Sequence, residues 1–336
     1  MKLGVVGCGL VWQYEHQPIL LKMQEDFPVT AFCAPKQDQE MLDKALLAYP
    51  HAATYYDYHD LIADDQVEAV MIATPIQLLE PVALAALDAG KHIFLEKPVA
   101  LTSAGAKAVL KKAQEKQLLV YVLEQSWYDN CAICAEKLIA QGRLGQILAF
   151  DFISHSIIGT DRPERVPYGK TDWRRNPAYK IGTIMDRGIH DLATISYLFN
   201  FPVAVCAAGV QVRDTFGKYD RVSILMEYEG GIAATFSHSG VMEGSSNGMR
   251  IWGTKGTIHI LSDGLALNGV RIIDNNGGME DIPIANESRR ETMWHDLAEH
   301  ARQKKATPKG VADMMNILKT IEAIEESIET GKRVTL

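Results

Sequence analysis

The first 123 residues alternate short apolar segments with amphipathic ones, and this alternation constrains the fold more than any other feature of the chain. The apolar segments are rich in β-branched residues and leucine, which is typical of buried strands. They lie at Lys2–Val6, Val29–Cys33, Ala69–Ala73, His92–Leu95 and Leu119–Leu123. Apolar residues at helical spacing lie between them, at Gln13–Gln24, Gln39–Leu47, Leu78–Ala89 and Thr102–Lys116. Strands that alternate with helices pair in parallel through right-handed crossovers, so we expect an α/β fold with a doubly wound parallel sheet.

The remainder of the chain has a different pattern. After a helix predicted at Ala132–Gln141, β-rich runs are separated by turn signals, which predicts one large, mostly antiparallel open sheet. These runs are Ile147–His155, Val203–Val212, Tyr219–Tyr228, Gly231–Ser239, Met249–Trp252 and Thr257–Ile260. Two more helices are predicted at Glu291–Gln303 and Val311–Glu329. We therefore expect one domain over residues 1–123 and a second α/β domain over residues 124–336, whose C-terminal helix can pack back on the first.

Composition excludes several classes of protein. The 336 residues include 34 basic and 42 acidic side chains, a formal net charge of −8, which disfavours a nucleic-acid partner. No apolar run approaches the roughly 20 residues that a membrane span needs, and no secretory signal is visible. Five scattered cysteines favour reduced thiols, and Cys131 and Cys134 lack the second ligand pair of a zinc site. We expect a cytoplasmic protein with no membrane partner and no metal site.

A glycine-rich turn follows the first predicted strand. In the dinucleotide fingerprint, a first glycine makes the tight turn and a second lets the backbone approach the pyrophosphate, while the following helix N-terminus holds phosphate charge. Here the segment is Gly7-Cys8-Gly9-Leu10-Val11-Trp12, so that Trp12 stands where a third small residue is usual. The segment predicts a dinucleotide site, and the alternative is a plain turn between strand and helix.

The end of the second predicted strand bears on the choice of cofactor. An Asp or Glu at this point hydrogen-bonds the ribose 2′-hydroxyl of NAD. This chain has Ala34 and Lys36 there instead, and a lysine attracts a 2′-phosphate. NAD and NADP both remain open, with Lys36 favouring NADP. The alternative is that Lys36 is a solvated loop residue.

Two further segments carry acid–base chemistry. Glu96-Lys97-Pro98 follows the strand predicted at His92–Leu95, at the sheet edge where ligands bind, and Lys97 can donate a hydrogen bond to a substrate hydroxyl. Asp186 and His190 lie four residues apart, so on one helix the carboxylate could orient an imidazole that accepts a hydroxyl proton. The alternative is that Asp186 caps a helix and His190 is a core histidine.

Taken together, the order of motifs resembles the Gfo/Idh/MocA oxidoreductases, which include glucose-fructose oxidoreductase and inositol dehydrogenase. The resemblance rests on Gly7-Cys8-Gly9, Ala73-Thr74-Pro75, the segment from Ala89 to Pro98, Trp173-Arg174, the segment from Asp186 to His190, and Gly253-Thr254-Lys255-Gly256-Thr257.

The resemblance implies a Rossmann domain followed by an α/β domain whose open sheet forms a homo-oligomer interface. It also implies oxidation of a secondary alcohol, or reduction of the ketone, of a sugar, cyclitol or derivative with NAD or NADP. In the family the lysine, aspartate and histidine that match Lys97, Asp186 and His190 are catalytic. The expected cofactor-binding residues are Gly7, Gly9, Leu10, Val11, Trp12, Ala34, Lys36, Thr74, Pro75, Glu96, Lys97, Gln125, Trp173 and Arg174.

Other functions stay open. A dinucleotide-binding sensor on the same fold, or a glycosidase that recycles NAD during cleavage, would share most of these motifs. The longest irregular segment, Ile157 to Ile181, is expected to be functional because a loop of this length is uncommon in a compact domain. Its basic residues leave an anionic or phosphorylated sugar open despite the negative net charge. They are Arg162, Arg165, Lys170, Arg174, Arg175 and Lys180.

Overall fold

The computed structural model describes residues 1–158, 166–242, 247–262 and 267–336, which form two compact units. The first unit contains residues 1–124 and 290–315 together with Val166. The second contains residues 125–158, 167–242, 247–262, 267–289 and 316–336.

The first unit is built on a six-stranded sheet. Its strands are β1 Leu3–Val6, β2 Val29–Cys33, β3 Ala53–Tyr55, β4 Ala69–Ile72, β5 His92–Glu96 and β6 Val120–Leu123. They lie in the order β3-β2-β1-β4-β5-β6, and every pair of neighbours is parallel. The predicted doubly wound sheet is therefore confirmed. The helices before residue 124 are α1 Gln17–Leu20, α2 Gln39–Ala48, α3 Tyr58–Ala63, α4 Ile76–Asp88 and α5 Ser103–Lys116.

The helix predicted at Gln13–Gln24 differs from the expectation. Trp12–His16 form a π-helical turn that runs directly into α1, which ends at Leu20. The indole of Trp12 is fully buried, with its ring centroid 5.3 Å from that of Phe32 and 6.1 Å from that of Tyr49. The side chain at the third fingerprint position therefore belongs to the hydrophobic core.

The second unit is built on a nine-stranded sheet. Its strands are β7 Ile147–His155, β8 Ala204–Val210, β9 Arg221–Glu227, β10 Ala233–Ser239, β11 Gly248–Gly253, β12 Gly256–Ser262, β13 Leu267–Asp274, β14 Met279–Ile282 and β15 Val334–Thr335. They lie in the order β14-β13-β12-β11-β7-β10-β9-β8-β15. Among the described strands of this sheet only β7 and β10 pair in parallel, which confirms the predicted, mostly antiparallel sheet.

The remaining helices are α6 Asn130–Ala140, α7 Asp172–Arg175, α8 Ile189–Phe199, α9 Arg289–Gln303 and α10 Val311–Thr330. Of these, α6, α9 and α10 begin and end within two residues of the predicted bounds. Within the long segment predicted to be irregular, residues 166–181 contain a short turn, Tyr168–Lys170, followed by α7. Arg162 and Arg165 lie outside the described residues.

Two expectations concern the chain as a whole. In the described ranges, no helix combines the length and the apolar character that crossing a bilayer requires. All five cysteines are free thiols, as their scattered spacing predicted.

Candidate active site

The glycine turn after β1 brings the carboxyl ends of three strands together. Gly7 adopts φ +100°, and a Cβ atom built on it would lie 2.5 Å from the carbonyl oxygen of Ala73 and 3.1 Å from the nitrogen of Thr74. Its own N–H donates to the carbonyl of Cys33 at 2.9 Å. Only glycine fits this position, so the tight turn expected from the fingerprint is present beside Thr74.

The residues around this turn fit a dinucleotide. Apart from its two chain neighbours, no described residue has an atom within 4 Å of a Cβ built on Gly9, so the backbone here is open to a close approach. The Oγ1 atom of Thr74 is shielded from solvent and has no hydrogen-bond partner among the described residues. Trp12 is fully buried against Phe32 and Tyr49, so the core accommodates its bulk. A polar ligand bound here would contact the open backbone and supply a hydrogen-bond partner for the Thr74 hydroxyl.

Other predicted cofactor-binding residues flank the turn. Leu10 and Val11 are half-buried at the start of the helical segment that follows Gly9. Pro75 is the N-cap residue of α4, directly after Thr74. Ala34 is buried behind β2, where its N–H donates to the carbonyl of Tyr55 at 3.3 Å. Their contacts with a cofactor stay predictions.

The end of β2 carries charges of both signs. Lys36 is exposed at the start of a short 3-10 turn, and its ammonium lies 5.5 Å from the centre of the Tyr56 ring. The negative charge is that of Asp38, which acts on the nearby Cys8 thiol. Burial raises the pKa of this thiol to about 12, with smaller contributions from Cys33 and Asp38. A cation is thus available where the ribose is expected, with a carboxylate nearby.

Glu96, predicted to contact the cofactor, is part of a buried hydrogen-bond network. Its side chain is 9% exposed, and its Oε1 atom lies 2.7 Å from Nε2 of the fully buried His16. The indole N–H of Trp294 donates to Nδ1 of the same imidazole at 3.0 Å. Since an indole can only donate, Nδ1 is the acceptor. Neutral His16 therefore carries its proton on Nε2, which donates to Glu96.

The charge in this network lies on the carboxylate. Burial lowers the pKa of His16 despite its acidic neighbour. Burial alone would raise the pKa of Glu96, but the hydrogen bond from His16, with contributions from the charges of Arg290 and Lys97, holds it below its usual value. Lys97 directly follows β5, so the network fixes the backbone that carries it. A contact between Glu96 and a cofactor stays a prediction.

In the second unit, Asp186 lies in a π-helical turn, Ile184–Gly188, that leads into α8. Its carboxylate accepts a hydrogen bond from Nε of the buried Arg174 at 2.8 Å. The cap positions of the turn and of α8 are Thr183 and Gly188, so the alternative that Asp186 caps a helix is wrong. The hydrogen bond expected between Asp186 and His190 stays a prediction.

Arg174 is held by aromatic rings as well as by Asp186. Its guanidinium carbon lies 4.1 Å from the centre of the Trp173 ring and 5.1 Å from that of Tyr168. Burial, with a contribution from the charge of Asp186, raises the pKa of Tyr179, which therefore also lies beside this pair. The contact of Trp173 and Arg174 with a cofactor stays a prediction.

Gly188 lets a buried histidine approach the turn. A Cβ on Gly188 would lie 3.1 Å from Nδ1 of His238, and Nε2 of His238 is 3.0 Å from Oγ1 of Thr183. Oδ2 of Asp191 lies 3.5 Å from the same Nδ1 atom. His238 therefore packs against the turn and against the start of α8, where His190 is placed.

A cleft of about 680 Å³, counting the solvent at its mouth, opens beside this turn and is called the His190 cleft below. His190 is half-buried on its wall. Gln125, which was predicted to bind cofactor, also lines the cleft, and that role stays a prediction. Most of the other lining side chains are polar and suit a ligand rich in hydroxyl groups. They include Ser154, Arg187, Thr194 and Asn247.

The sequence assigns no role to several residues that complete these sites. His16 follows the glycine turn in a segment that is typical of the family, but its hydrogen bond to Trp294 joins residues 278 positions apart. Tyr179 and His238 belong to none of the motifs, and Arg187 stands within one without a role of its own. Only tertiary contacts reveal what these residues do.

Comparison with known proteins identifies the family. The family model described as "Oxidoreductase family, NAD-binding Rossmann fold" matches residues 1–124, and the Gfo/Idh/MocA C-terminal domain matches residues 134–259. The chain belongs to the Gfo/Idh/MocA oxidoreductases. This confirms the resemblance inferred from the motifs and shows that the chain is an oxidoreductase of an NAD-binding family.

Relatives of this Gfo/Idh/MocA protein include dehydrogenases. The NADP-dependent scyllo-inositol 2-dehydrogenase IolW of Bacillus subtilis is 24% identical over 358 residues, which cover 100% of this chain and 96% of the relative. Inositol 2-dehydrogenase of Salmonella typhimurium is 34% identical over 151 residues, 44% of each chain. The crystal structure of an oxidoreductase from Thermotoga maritima has a TM-score of 0.88 at 24% identity, over 100% of this chain and 98% of that one, which confirms the fold.

The pH dependence of stability tests the buried network. Burial lowers the pKa of His16 in the folded protein, so the unfolded chain binds more protons once the pH falls below about 6.5. The contribution of this group to stability is then complete above that pH. It decreases as the pH falls, by up to about 1.4 kcal/mol per pH unit.

His16→Gln keeps a donor for Glu96 and an acceptor for Trp294 but does not titrate. We expect its free energy of unfolding to fall less steeply than that of the wild type between pH 8 and pH 5. Urea denaturation followed by circular dichroism measures both slopes. Exposed His51→Gln is the control and should keep the wild-type slope. Identical slopes in all three proteins would show that His16 is not held neutral.

Proposed function

We propose that the chain catalyses NAD(P)-dependent hydride transfer to or from a secondary alcohol or ketone of a sugar, cyclitol or sugar derivative. The observation that carries the proposal is the position of His190, a half-buried imidazole on the wall of a cleft lined with hydroxyl and amide groups. The names of two relatives, scyllo-inositol 2-dehydrogenase and inositol 2-dehydrogenase, favour a cyclitol. In this proposal residues 1–123 bind the dinucleotide and residues 124–336 bind the substrate.

His190 acts as the general acid and base. Oxidation of an alcohol removes a hydride from carbon and a proton from oxygen, and reduction adds both. A bound nicotinamide supplies the carbon that accepts or returns the hydride. His190 takes the hydroxyl proton during oxidation and returns it during reduction, because an imidazole titrates close to neutral pH.

Lys97 and Asp186 support this proton transfer. Lys97 donates a hydrogen bond to the reacting oxygen and stabilises the negative charge that develops there. Asp186 orients the imidazole and is itself held by Arg174, whose guanidinium compensates the charge of the carboxylate. The paired carboxylate supports the role of Asp186, and the buried network that fixes the backbone before Lys97 supports that of the lysine.

In this proposal the glycine turn holds the dinucleotide. The open backbone at Gly9 and the unpaired hydroxyl of Thr74 support this placement. Lys36, exposed at the end of β2, favours NADP over NAD through its attraction for a 2′-phosphate.

Removal of the imidazole tests the main proposal. We expect His190→Ala to lower kcat by about 10²- to 10⁴-fold, the usual contribution of a general acid–base group, while cofactor still binds. Turnover is followed by the absorbance of reduced nicotinamide with a panel of cyclitols and sugars, and cofactor binding by fluorescence. His295→Ala, an exposed histidine on α9, is the matched control and should turn over like the wild type. Near-normal turnover in His190→Ala would exclude this role.

The NADP preference has its own test. Lys36→Ala should weaken NADP binding by about tenfold, the loss expected for one charge-assisted contact, and leave NAD binding nearly unchanged. Fluorescence titration with each cofactor measures the two dissociation constants. Lys107→Ala removes an exposed lysine on α5 and serves as the control. If Lys36→Ala weakens both cofactors equally, Lys36 does not distinguish the 2′-phosphate.

We further propose that the open face of the nine-stranded sheet forms a homo-oligomer. Residues at paired positions of neighbouring strands form one row across this face. Leu225 of β9, which is 46% exposed, pairs with Cys206 of β8 on one side and with Thr235 of β10 on the other. The row continues to Asp151 and Arg250, whose charges pair with each other. Because the two charges among these five positions are matched and the other three side chains are small or apolar, this part of the face can be buried against a second copy at little cost in desolvation.

Light scattering tests this assembly. The wild type should have at least twice the mass of one chain, and Leu225→Arg should lower that mass because an unpaired charge would be buried at the interface. Leu47→Arg, which changes a leucine that is 84% exposed on α2, is the control. A wild type with the mass of one chain would rule the assembly out.

A further inference from the structure

The His190 cleft contains a cation that the proposed mechanism does not use. Arg187 lines the cleft together with His190, which lies three residues further along the chain. The Nε atom of Arg187 is shielded from solvent and has no hydrogen-bond partner in residues 1–158, 166–242, 247–262 and 267–336. A shielded guanidinium donor without an acceptor costs free energy unless a ligand supplies one.

Among the described residues, Arg187 differs from the other arginines of the second unit that are not exposed, because it has no carboxylate partner. In the described part of the second unit, each of the other arginines that is not exposed pairs with a carboxylate. The pairs are Arg174 with Asp186, Arg213 with Asp220, Arg271 with Asp281 and Arg289 with Asp129. No carboxylate among the same described residues lies within 4 Å of the guanidinium of Arg187. Among its described arginines that are not exposed, the unit therefore compensates four guanidinium groups and leaves the one beside His190 without a carboxylate.

The other charged groups on the described wall of the cleft do not satisfy Arg187. Arg289 also lines the cleft, but its charge is matched by the buried Asp129 at 3.1 Å. Asp191 lines the cleft with a side chain that is 16% exposed, and its Oδ2 atom lies 3.5 Å from Nδ1 of His238. Arg187 is thus the cation that is best placed to receive an acceptor from a ligand.

We propose that Arg187 binds the carboxylate or phosphate group of an anionic polyol, and that such compounds are the preferred substrates of this cleft. The proposal rests on the function proposed above and specifies its substrate class. A guanidinium presents a planar set of donors that matches two oxygens of either anion. Hydroxyl and amide side chains on the same wall, such as Ser154, Thr194 and Asn247, suit the neutral part of the molecule.

Matched substrates test the inference. Glucose, glucuronate and a glucose phosphate ester present one ring with no anion, a carboxylate or a phosphate, and neutral cyclitols extend the panel. In the wild type we expect kcat/KM for at least one anionic compound to exceed that of its neutral counterpart by about 10- to 100-fold, the value of a charge-assisted contact. The ratio between the carboxylate and the phosphate then distinguishes the two anions.

Substitution of Arg187 assigns that preference to the guanidinium. Arg187→Met should bring the ratio of anionic to neutral kcat/KM close to one. Arg187→Lys should retain part of the preference, because the charge is kept but the planar arrangement of donors is lost. Arg333→Met, which removes an exposed arginine paired with Glu227, should keep the wild-type ratio. A wild-type ratio near one, or an unchanged ratio in Arg187→Met, would overturn the inference.

A binding measurement separates this inference from the proposed function. Malonate is a dianion without a hydroxyl group to oxidise. Calorimetric titration should detect malonate binding to the wild type, binding at least tenfold weaker to Arg187→Met, and an intermediate affinity in Arg187→Lys. If malonate binds in this way but no polyol is turned over with either cofactor, the proposed function fails and the anion site stands. If neutral polyols are turned over and malonate does not bind, the anion site fails and the function stands.

Discussion

A carboxylate buried at the end of β5 is the constraint on which the candidate site of the first unit depends. Glu96 is ionised in a place where little water compensates its charge, so it needs a fixed donor. His16 supplies that donor from the turn after the glycines, and Trp294 of α9 holds the imidazole in the required tautomer. Glu96, the residue before Lys97, is therefore held through a contact with α9 as well as by the sheet. The strands of the Rossmann sheet alone do not complete this part of the site.

Two of the segments that carry site residues contain a π-helical turn. Trp12–His16 directs an indole into the core and an imidazole toward Glu96, and Ile184–Gly188 precedes His190. A π turn closes over one residue more than an α turn, so side chains four positions apart do not keep the register of an α-helix. The first turn accommodates a large residue at the third fingerprint position. The second places Asp186 where it meets Arg174 from a separate segment of the chain.

The sequence predicts the strands that are buried along their length, because burial requires a continuous run of apolar residues. The strands β1, β2, β4, β5 and β6 lie within one residue of the predicted bounds, because continuous apolar runs have few other structures available. The sequence does not reveal β3 and β14, because these edge strands are largely exposed and form by pairing with a neighbour. Nor does it reveal β13, in which Asn268-Gly269 has the signature of a turn but lies within the strand.

The candidate site divides in the same way. Residues such as Gly7 and Asp186 belong to short motifs, and a motif can be located because its members are neighbours in the chain. His16, Trp294 and His238 act on those motif residues across separations that no short pattern encodes, so the hydrogen bonds that orient the site appear only in the folded chain. For the same reason, whether a charged side chain is available to a ligand depends on its contacts in the folded chain. Arg174 belongs to a group of basic residues that the sequence suggests could bind an anion, yet Asp186 neutralises its charge. Arg187 has no assigned role in the sequence, but among the described residues its positive charge is not compensated on the wall that it shares with His190.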